Sequence, residues 1–351
     1  MPAFTAIIDL NMTDRFKFTH SNRLRLAIHA TGLLYVFGAA ALLLANHFLR
    51  QASPFVALAG TFDVYLFVAA LPLALGLILV RTRTSLAILI LLAVLFLAAH
   101  PLLPSLAAIL PAKSGSATLS TMTFNLGGGF TPPEPLAQTI AAAQADIVAV
   151  QELTSQSAAV LATELTAAYP YQILDPSIGS TGLLSKLPII SYEWLRPPNG
   201  RPFLHVVVDR QGAELHVFAV HLQTPGILWW EQLPLPRGLV ETGLEAEVAY
   251  LLPQVAAVAA PVVVLGDFNM SDQSRAYAAM TAALQDGFRR AGIGLGRTFP
   301  NNLHWAGIRI PFPLVRIDYV FHSPHLEATS AVVKCIEGQS DHCALLVDFS
   351  L

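Results

Sequence analysis

The chain has 351 residues, 54% of them hydrophobic and only 12% charged, a balance that excludes an ordinary water-soluble globule. The excess is uneven: residues 24–110 hold almost no charge, while the remainder has the make-up of a globular domain of common size. Up to residue 112 seven basic residues face three acids, whereas from Lys113 onward thirteen basic residues face twenty acids, a net charge of −7. An acidic second part is a poor match for nonspecific binding to a nucleic-acid duplex, although a bound metal ion would offset that charge locally.

Three apolar runs, residues 24–49, 55–80 and 86–110, each exceed the roughly 20 residues that cross a bilayer core, and the links between them are very short. Three antiparallel transmembrane helices are expected after a cytoplasmic segment 1–23. A cleaved signal peptide has one such core, not three. Arg15, Lys17, Arg23, Arg25, Arg81 and Arg83 would lie on one side and Arg50 and Lys113 on the other, which favours a cytoplasmic N-terminus. Everything after residue 112 is then extracytoplasmic, and in a Gram-negative bacterium this is an inner-membrane protein with a periplasmic domain. His29, Asp63 and His100 lie within the apolar runs and are expected to make interfacial or interhelix hydrogen bonds.

Residues 113–117 read as a polar linker into a second domain, 113–351. Residues 118–124 alternate as a strand that ends in Asn125, followed by Gly127, Gly128 and Gly129. Those glycines fit either a close backbone approach to a ligand or a plain turn. Residues 135–144 are helical. Residues 146–150 form a buried strand that runs into Gln151-Glu152, and Thr154 N-caps a helix reaching residue 168. Residues 181–190 read as strand, turn and strand. Residues 203–209 and 213–220 form a hairpin, with His221 ending its second strand. Residues 222–240 read as a long loop rich in proline and aromatics. Its Trp229-Trp230 pair suits either a loop dipping into lipid headgroups or a hydrophobic cover over its own domain. A helix is expected over 241–259.

In PVVVLGDFNMSD, residues 261–272, four apolar residues form a buried strand and Gly266 frees the turn. Asp267 and Asn269 follow at i and i+2, so both project to one side. They suit a hard cation or a positioned water, or else a self-satisfied Asp-x-Asn turn. Residues 272–284 are helical and 301–315 a loop. Residues 317–321 form a strand whose acid, Asp318, needs a partner if buried. Residues 327–335 and 343–349 flank a turn carrying Ser340-Asp341-His342. Cys335 and Cys343 lack zinc-type spacing and are either two free thiols or one hairpin disulfide. Many short strands with few helices suggest two packed sheets with helices outside.

Polar residues thus collect at strand ends, and together they contain what metal-assisted phosphate hydrolysis needs. Glu152 and Asp341, with Asn125 nearby, suit a hard cation. His342 suits a general base oriented by Asp318, His221 a donor to phosphate oxygen, and Asp267 and Asn269 the positioning of water.

TFN at 123–125, QE at 151–152, HL at 221–222, GDFN at 266–269, IDYVF at 317–321 and SDH at 340–342, in that order, resemble the endonuclease/exonuclease/phosphatase superfamily. TGLLSKLPI at 181–189 also resembles a segment of that family. The resemblance covers residues 117–351 and implies a four-layer α/β/β/α sandwich of two mixed sheets. It implies Glu152 as a direct Mg²⁺ or Mn²⁺ ligand, Asn125 in the same metal and phosphate site, and Asp341 as a metal or water ligand. It further implies Asp267 in water activation, Asn269 on the phosphate, His342 as base or phosphate ligand paired with Asp318, and His221 on the transition state. Cys343 stands where many members carry Arg or Lys, which removes a cation and speaks against nucleic acid. The expectation is a membrane-anchored, Mg²⁺-dependent phosphodiesterase or phosphomonoesterase acting on a phospholipid or lipid-linked phosphate, with membrane lipids as partners. The alternatives are an extracytoplasmic nuclease and a catalytically inactive membrane scaffold.

Overall fold

The computed structural model describes residues 3–100, 119–129, 131–305, 308–336 and 339–350. It divides into two compact units, Met1–Leu49 with Phe62–Pro101, and Arg50–Thr61 with Leu102–Leu351. The expected linker 113–117, and with it the domain boundary, lies outside the described residues.

The first unit is helical: α1 (Ala3–Leu49), α3 (Val64–Ala69), α4 (Leu71–Val80) and α5 (Arg83–Ala99), whereas α2 (Pro54–Thr61) belongs to the second unit. Leu77, Ile88 and Leu92 form its small core, with Ile28 and Tyr35 packed against them. The expectation of three spanning helices is corrected. Among the described residues one helix is long and apolar enough to cross a membrane, the 28 residues Asn22–Leu49 of α1. The second run breaks at Phe62-Asp63 and again before Pro72, whose missing N–H starts a new helix. Its longest piece, α4, has 10 residues and so spans about 15 Å, half of a bilayer core. The third run gives 17 helical residues before His100, and its expected remainder to residue 110 is not described.

Of the polar residues of this unit, His29 makes interhelix hydrogen bonds as expected, whereas Asp63 and His100 come within ion-pair distance without a hydrogen bond. His29 Nε2 bonds Ser85 Oγ at 2.9 Å and Thr82 Oγ1 at 3.0 Å, and Asp63 Oδ1 lies 3.2 Å from His100 Nε2.

The second unit is built on two six-stranded sheets. The first sheet holds β1 (Leu119–Asn125), β2 (Ile147–Gln151), β3 (Tyr171–Leu174), β4 (Gly182–Ser185), β15 (Glu327–Lys334) and β16 (Ala344–Ser350), in the order β15-β16-β1-β2-β4-β3. The second holds β5 (Ile189–Leu195), β6 (Phe203–Arg210), β7 (Ala213–His221), β10 (Val262–Asp267), β11 (Gln285–Asp286) and β14 (Asp318–His322), in the order β11-β14-β10-β7-β6-β5.

Alternate residues of both sheets meet in one core. Ile147, Ala149 and Leu183 of the first sheet share it with Val206, Val217, Val263 and Leu265 of the second. The outer face of the first sheet is covered by α6 (Pro133–Ala143) and α7 (Ser155–Glu164) through Leu136, Ile140 and Leu161. That of the second is covered by α8 (Thr242–Ala256) and α9 (Arg275–Ala283) through Leu244, Leu251 and Met280. The result is the expected α/β/β/α layering. α7 is capped as expected, Thr154 Oγ1 accepting from Ser157 N at 3.1 Å, but it ends at Glu164, not at 168.

Two expected loops contain hairpins. Residues 222–240 hold β8 (Gly226–Trp229) paired with β9 (Pro236–Val240), and residues 301–315 hold β12 (Leu303–Trp305) paired with β13 (Ile308–Ile310). Ladder hydrogen bonds there outweigh the local proline signal, because the prolines stand at ends and in the connection and leave the paired N–H groups intact.

Candidate active site

Strand pairing brings the polar ends together. β1 and β2 run parallel with Asn125 opposite Gln151, so Glu152 emerges beside Asn125. β7 and β10 run parallel with His221 opposite Asp267, and β14 sets Asp318 opposite Asp267 on its other side. Gly266 makes this edge possible: a Cβ there would lie 1.9 Å from the Val220 carbonyl oxygen, so no other residue fits.

Asp267, fully buried, is the hub. Its Oδ2 accepts from Asn125 Nδ2 at 3.0 Å, and its Oδ1 accepts from Asn269 N at 2.9 Å. The same Oδ2 lies 3.6 Å from His221 Nε2 and 3.9 Å from His342 Nε2. His342 Nδ1 is 3.0 Å from Asp318 Oδ2, the partner that buried acid required, while Asp318 Oδ1 has no hydrogen-bond partner. Asn269 adopts φ of 50° and its Nδ2 donates to the Leu222 carbonyl at 2.9 Å, which fixes the turn after β10 against the end of β7.

Burial raises the Asp267 carboxyl above the ordinary carboxylate value, against the pull of His342 and His221. Burial alone would lower His342, but the Asp318 and Asp267 carboxylates outweigh it and hold the imidazole up at about 10. His221 goes the other way, to about 4, through burial, opposed by Asp267 and reinforced by the charges of Arg201 and His342. Arg201 Nη1 lies against His221 Nε2. A guanidinium only donates, so Nε2 is the acceptor and His221 is the neutral Nδ1–H tautomer.

Glu152 and Asp341 flank the glycine loop. A Cβ at Gly127 would stand 3.1 Å from Asp341 Oδ1, and one at Gly128 2.9 Å from Glu152 Oε2. Asn125 Nδ2 also donates to Glu152 Oε1 at 3.2 Å. The two carboxylates approach neighbouring glycines of one loop, and carboxylate oxygens are the kind of donor that Mg²⁺ or Mn²⁺ takes. Among the described residues, Asp267, Asp318 and His342, which the sequence assigned to catalysis, are the residues whose candidate ligand atoms lie within 4.8 Å of one another.

Several residues at the site had no role assigned to them from the sequence. Arg201 lies just before β6, twenty residues before His221. Glu247, buried in α8, accepts from Arg201 N at 2.6 Å and Gln223 N at 2.7 Å, holding the approaches to β6 and from β7 on either side of His221. Ser340 Oγ donates to the Asn125 carbonyl at 2.7 Å and accepts from His342 N at 3.0 Å, tying the His342 turn to the end of β1.

Cys335 and Cys343 form a disulfide that closes the same turn, with Cys343 N donating to the Thr298 carbonyl at 2.8 Å. Reduction, or Cys335→Ser with Cys343→Ser, is expected to cost about 2–3 kcal/mol for so short a loop. Thermal melting of oxidised and reduced protein measures it, and coincident curves would refute the expectation.

Sequence comparison matches residues 122–342 to the Endonuclease/Exonuclease/phosphatase family. No curated protein matches the chain. Truncated TDP2 from Caenorhabditis elegans superposes with a TM-score of 0.51 at 18% identity, covering 66% of this chain and 98% of that one. An endonuclease/exonuclease/phosphatase family protein from Bacteroides thetaiotaomicron gives 0.52 at 18%, covering 66% and 97%. D. rerio TDP2 in complex with a single-strand DNA product gives 0.51 at 17%, covering 66% and 99%. At such identities the structures speak to the fold, and it is the same fold. The sequence match extends over most of the two sheets and every strand end that bears a site residue, and on it the chain belongs to the Endonuclease/Exonuclease/phosphatase family.

Proposed function

We propose that the chain is a membrane-anchored phosphoesterase, dependent on Mg²⁺ or Mn²⁺, that hydrolyses a phosphodiester or phosphomonoester borne by a phospholipid or another lipid-linked molecule. Members of its family are metal-dependent phosphoesterases. The observation that carries the reading is the convergence of Asn125, His221 and His342 on one oxygen of a buried Asp267, with Glu152 beside them.

Glu152, Asp341 and Asn125 would hold the cation, which when bound would supply a Lewis acid for phosphoryl oxygens. Asp267 orients the attacking water and takes its proton. His342, aligned by Asp318, turns Nε2 toward the phosphate. Asn269 contacts the phosphate, while Arg201, oriented by the Nε2 lone pair of His221, steadies charge in the transition state. The span Asn22–Leu49 supports anchoring, and the Lys and Arg distribution supports an extracytoplasmic domain. The Cys335–Cys343 disulfide agrees with an oxidising compartment. The net charge of −7 after residue 112 favours a lipid-borne phosphate over a nucleic acid.

The test is full-length protein with phospholipid vesicles and, separately, supercoiled plasmid. With Mg²⁺ it releases phosphate or a phosphate-bearing headgroup from the vesicles, and chelation stops the release. Glu152→Ala, at a half-buried position, keeps the fold and lowers turnover by ~10²–10³-fold. Undiminished turnover in that variant would sink the mechanism. Plasmid nicking without lipid turnover would transfer the reading to a nuclease, the setting in which the D. rerio TDP2 structure holds its DNA product.

A further inference from the structure

The hairpin of β8 and β9 leaves an apolar surface in water. Trp229 is 52% exposed, Trp230 53% and Leu233 56%, and Ile227 and Leu235 are exposed beside them. A contiguous patch of this kind on a polar domain marks a docking surface. Its chemistry is that of a membrane interface, where indole rings sit at headgroup level with the apolar ring inward and the N–H in water.

The other end of the hairpin is clamped. β9 packs on α2 so closely that a Cβ at Gly238 would lie 2.6 Å from Pro54 Cβ. Just past β9, Glu241 receives two hydrogen bonds of 2.7 Å from Arg50, through Nε and Nη2, in a buried pair. Arg50 is the residue immediately after Leu49, where the apolar helix Asn22–Leu49 ends. One peptide bond, about 3.8 Å between Cα atoms, thus separates the end of the candidate span from the residue that grips the hairpin base. The hairpin also opens five residues after His221, and the strand that closes it leads into α8, which carries Glu247.

We propose that residues 226–240 form a membrane-seated hairpin: the Trp229-Trp230 tip enters the headgroup layer of the bilayer in which Asn22–Leu49 is anchored, and so holds the His221 side of the cleft at the lipid surface. The partner is the lipid surface itself. The proposal rests on the reading of Asn22–Leu49 as a span.

Full-length protein carrying Trp194→Phe and Trp305→Phe, reconstituted in phosphatidylcholine with or without brominated acyl chains, reports only Trp229 and Trp230. The brominated lipid is expected to quench roughly half of that emission or more. Carbonate extraction of the same membranes tests the anchor separately. Resistance to carbonate without quenching overturns the hairpin proposal and leaves the anchor standing. Release by carbonate overturns the anchor and the proposal with it. In a second measurement, Trp229→Ser with Trp230→Ser and Leu233→Ser is expected to hydrolyse a soluble aryl phosphodiester at the unmodified rate while an environment-sensitive dye at position 235 loses its blue shift in vesicles. Retention of that shift, or loss of soluble-ester turnover, which would mean the tip supports the cleft and not the membrane contact, overturns the proposal.

Discussion

Asp267→Asn is expected to lower kcat for a phosphodiester by ~10²–10⁴-fold, the range for removing a positioned general base. The carboxylate is the acceptor on which the site is organised, with Asn125 Nδ2 and Asn269 N donating to it and both imidazoles within 3.9 Å. An amide of the same shape keeps one acceptor oxygen for Asn269 N but turns an NH₂ toward Asn125 Nδ2, donor against donor. It can neither take a proton from water nor face His342 with charge. Because KM draws on phosphate and metal contacts elsewhere, the loss should fall on kcat and leave KM within a few-fold. Steady-state kinetics with an aryl phosphodiester at saturating Mg²⁺ decide it. A variant within a few-fold of the unmodified kcat would move the base to His342, and an equal rise in KM alone would make Asp267 a binding group.

The centre of this site was legible because it lies where periodicity stops. Each apolar run of four or five residues ends in a polar residue, and parallel pairing of β1 with β2 and of β7 with β10 brings those ends to common edges. The lone buried acid in IDYVF announced a partner, and His342 is that partner. What stayed hidden depends on distant groups. Arg201 gains meaning only from His221, and Glu247 only from the two loops whose N–H groups it receives. The 226–240 hairpin was masked by its prolines and by a register irregularity between Leu228 and Trp229 that breaks the two-residue period. The apolar run 55–80 misled because composition fixes length but not continuity. A polar Asp63 and a Pro72 divide it, and α2 joins the second unit instead.

Arg50 could have been read only as a flank of the first span. It is instead bonded through both Nε and Nη2 to Glu241, with Nη2 also donating to Thr61 Oγ1 at 3.1 Å. A buried guanidinium–carboxylate pair of this geometry orients the elements it joins, here α2 and the entry of α8, and α8 in turn sets Arg201 and Gln223 beside His221.

Asp318→Ala is expected to destabilise the second unit by about 3–5 kcal/mol, the cost of leaving one member of a buried ion pair alone. His342 and Asp318 are both buried, and Nδ1 and Oδ2 stand 3.0 Å apart. Two features pull the figure toward the lower end: Asp267 still faces Nε2 at 3.9 Å, and the unpartnered Oδ1 of Asp318 is removed with the side chain. The dependence on pH distinguishes an electrostatic loss from a cavity. The imidazole is held at about 10 in the fold against an ordinary value of 6.5, so it binds a proton more tightly folded than unfolded. Its contribution is therefore complete below pH 6.5 and is lost progressively as pH rises to about 10. Melting temperatures of the unmodified protein and of Asp318→Ala should accordingly differ most at or below pH 6.5 and converge toward pH 10. A deficit that stays constant across that window would mean a cavity, and the His342–Asp318 pair would then be a packing contact rather than the charge pair that aligns the imidazole for catalysis.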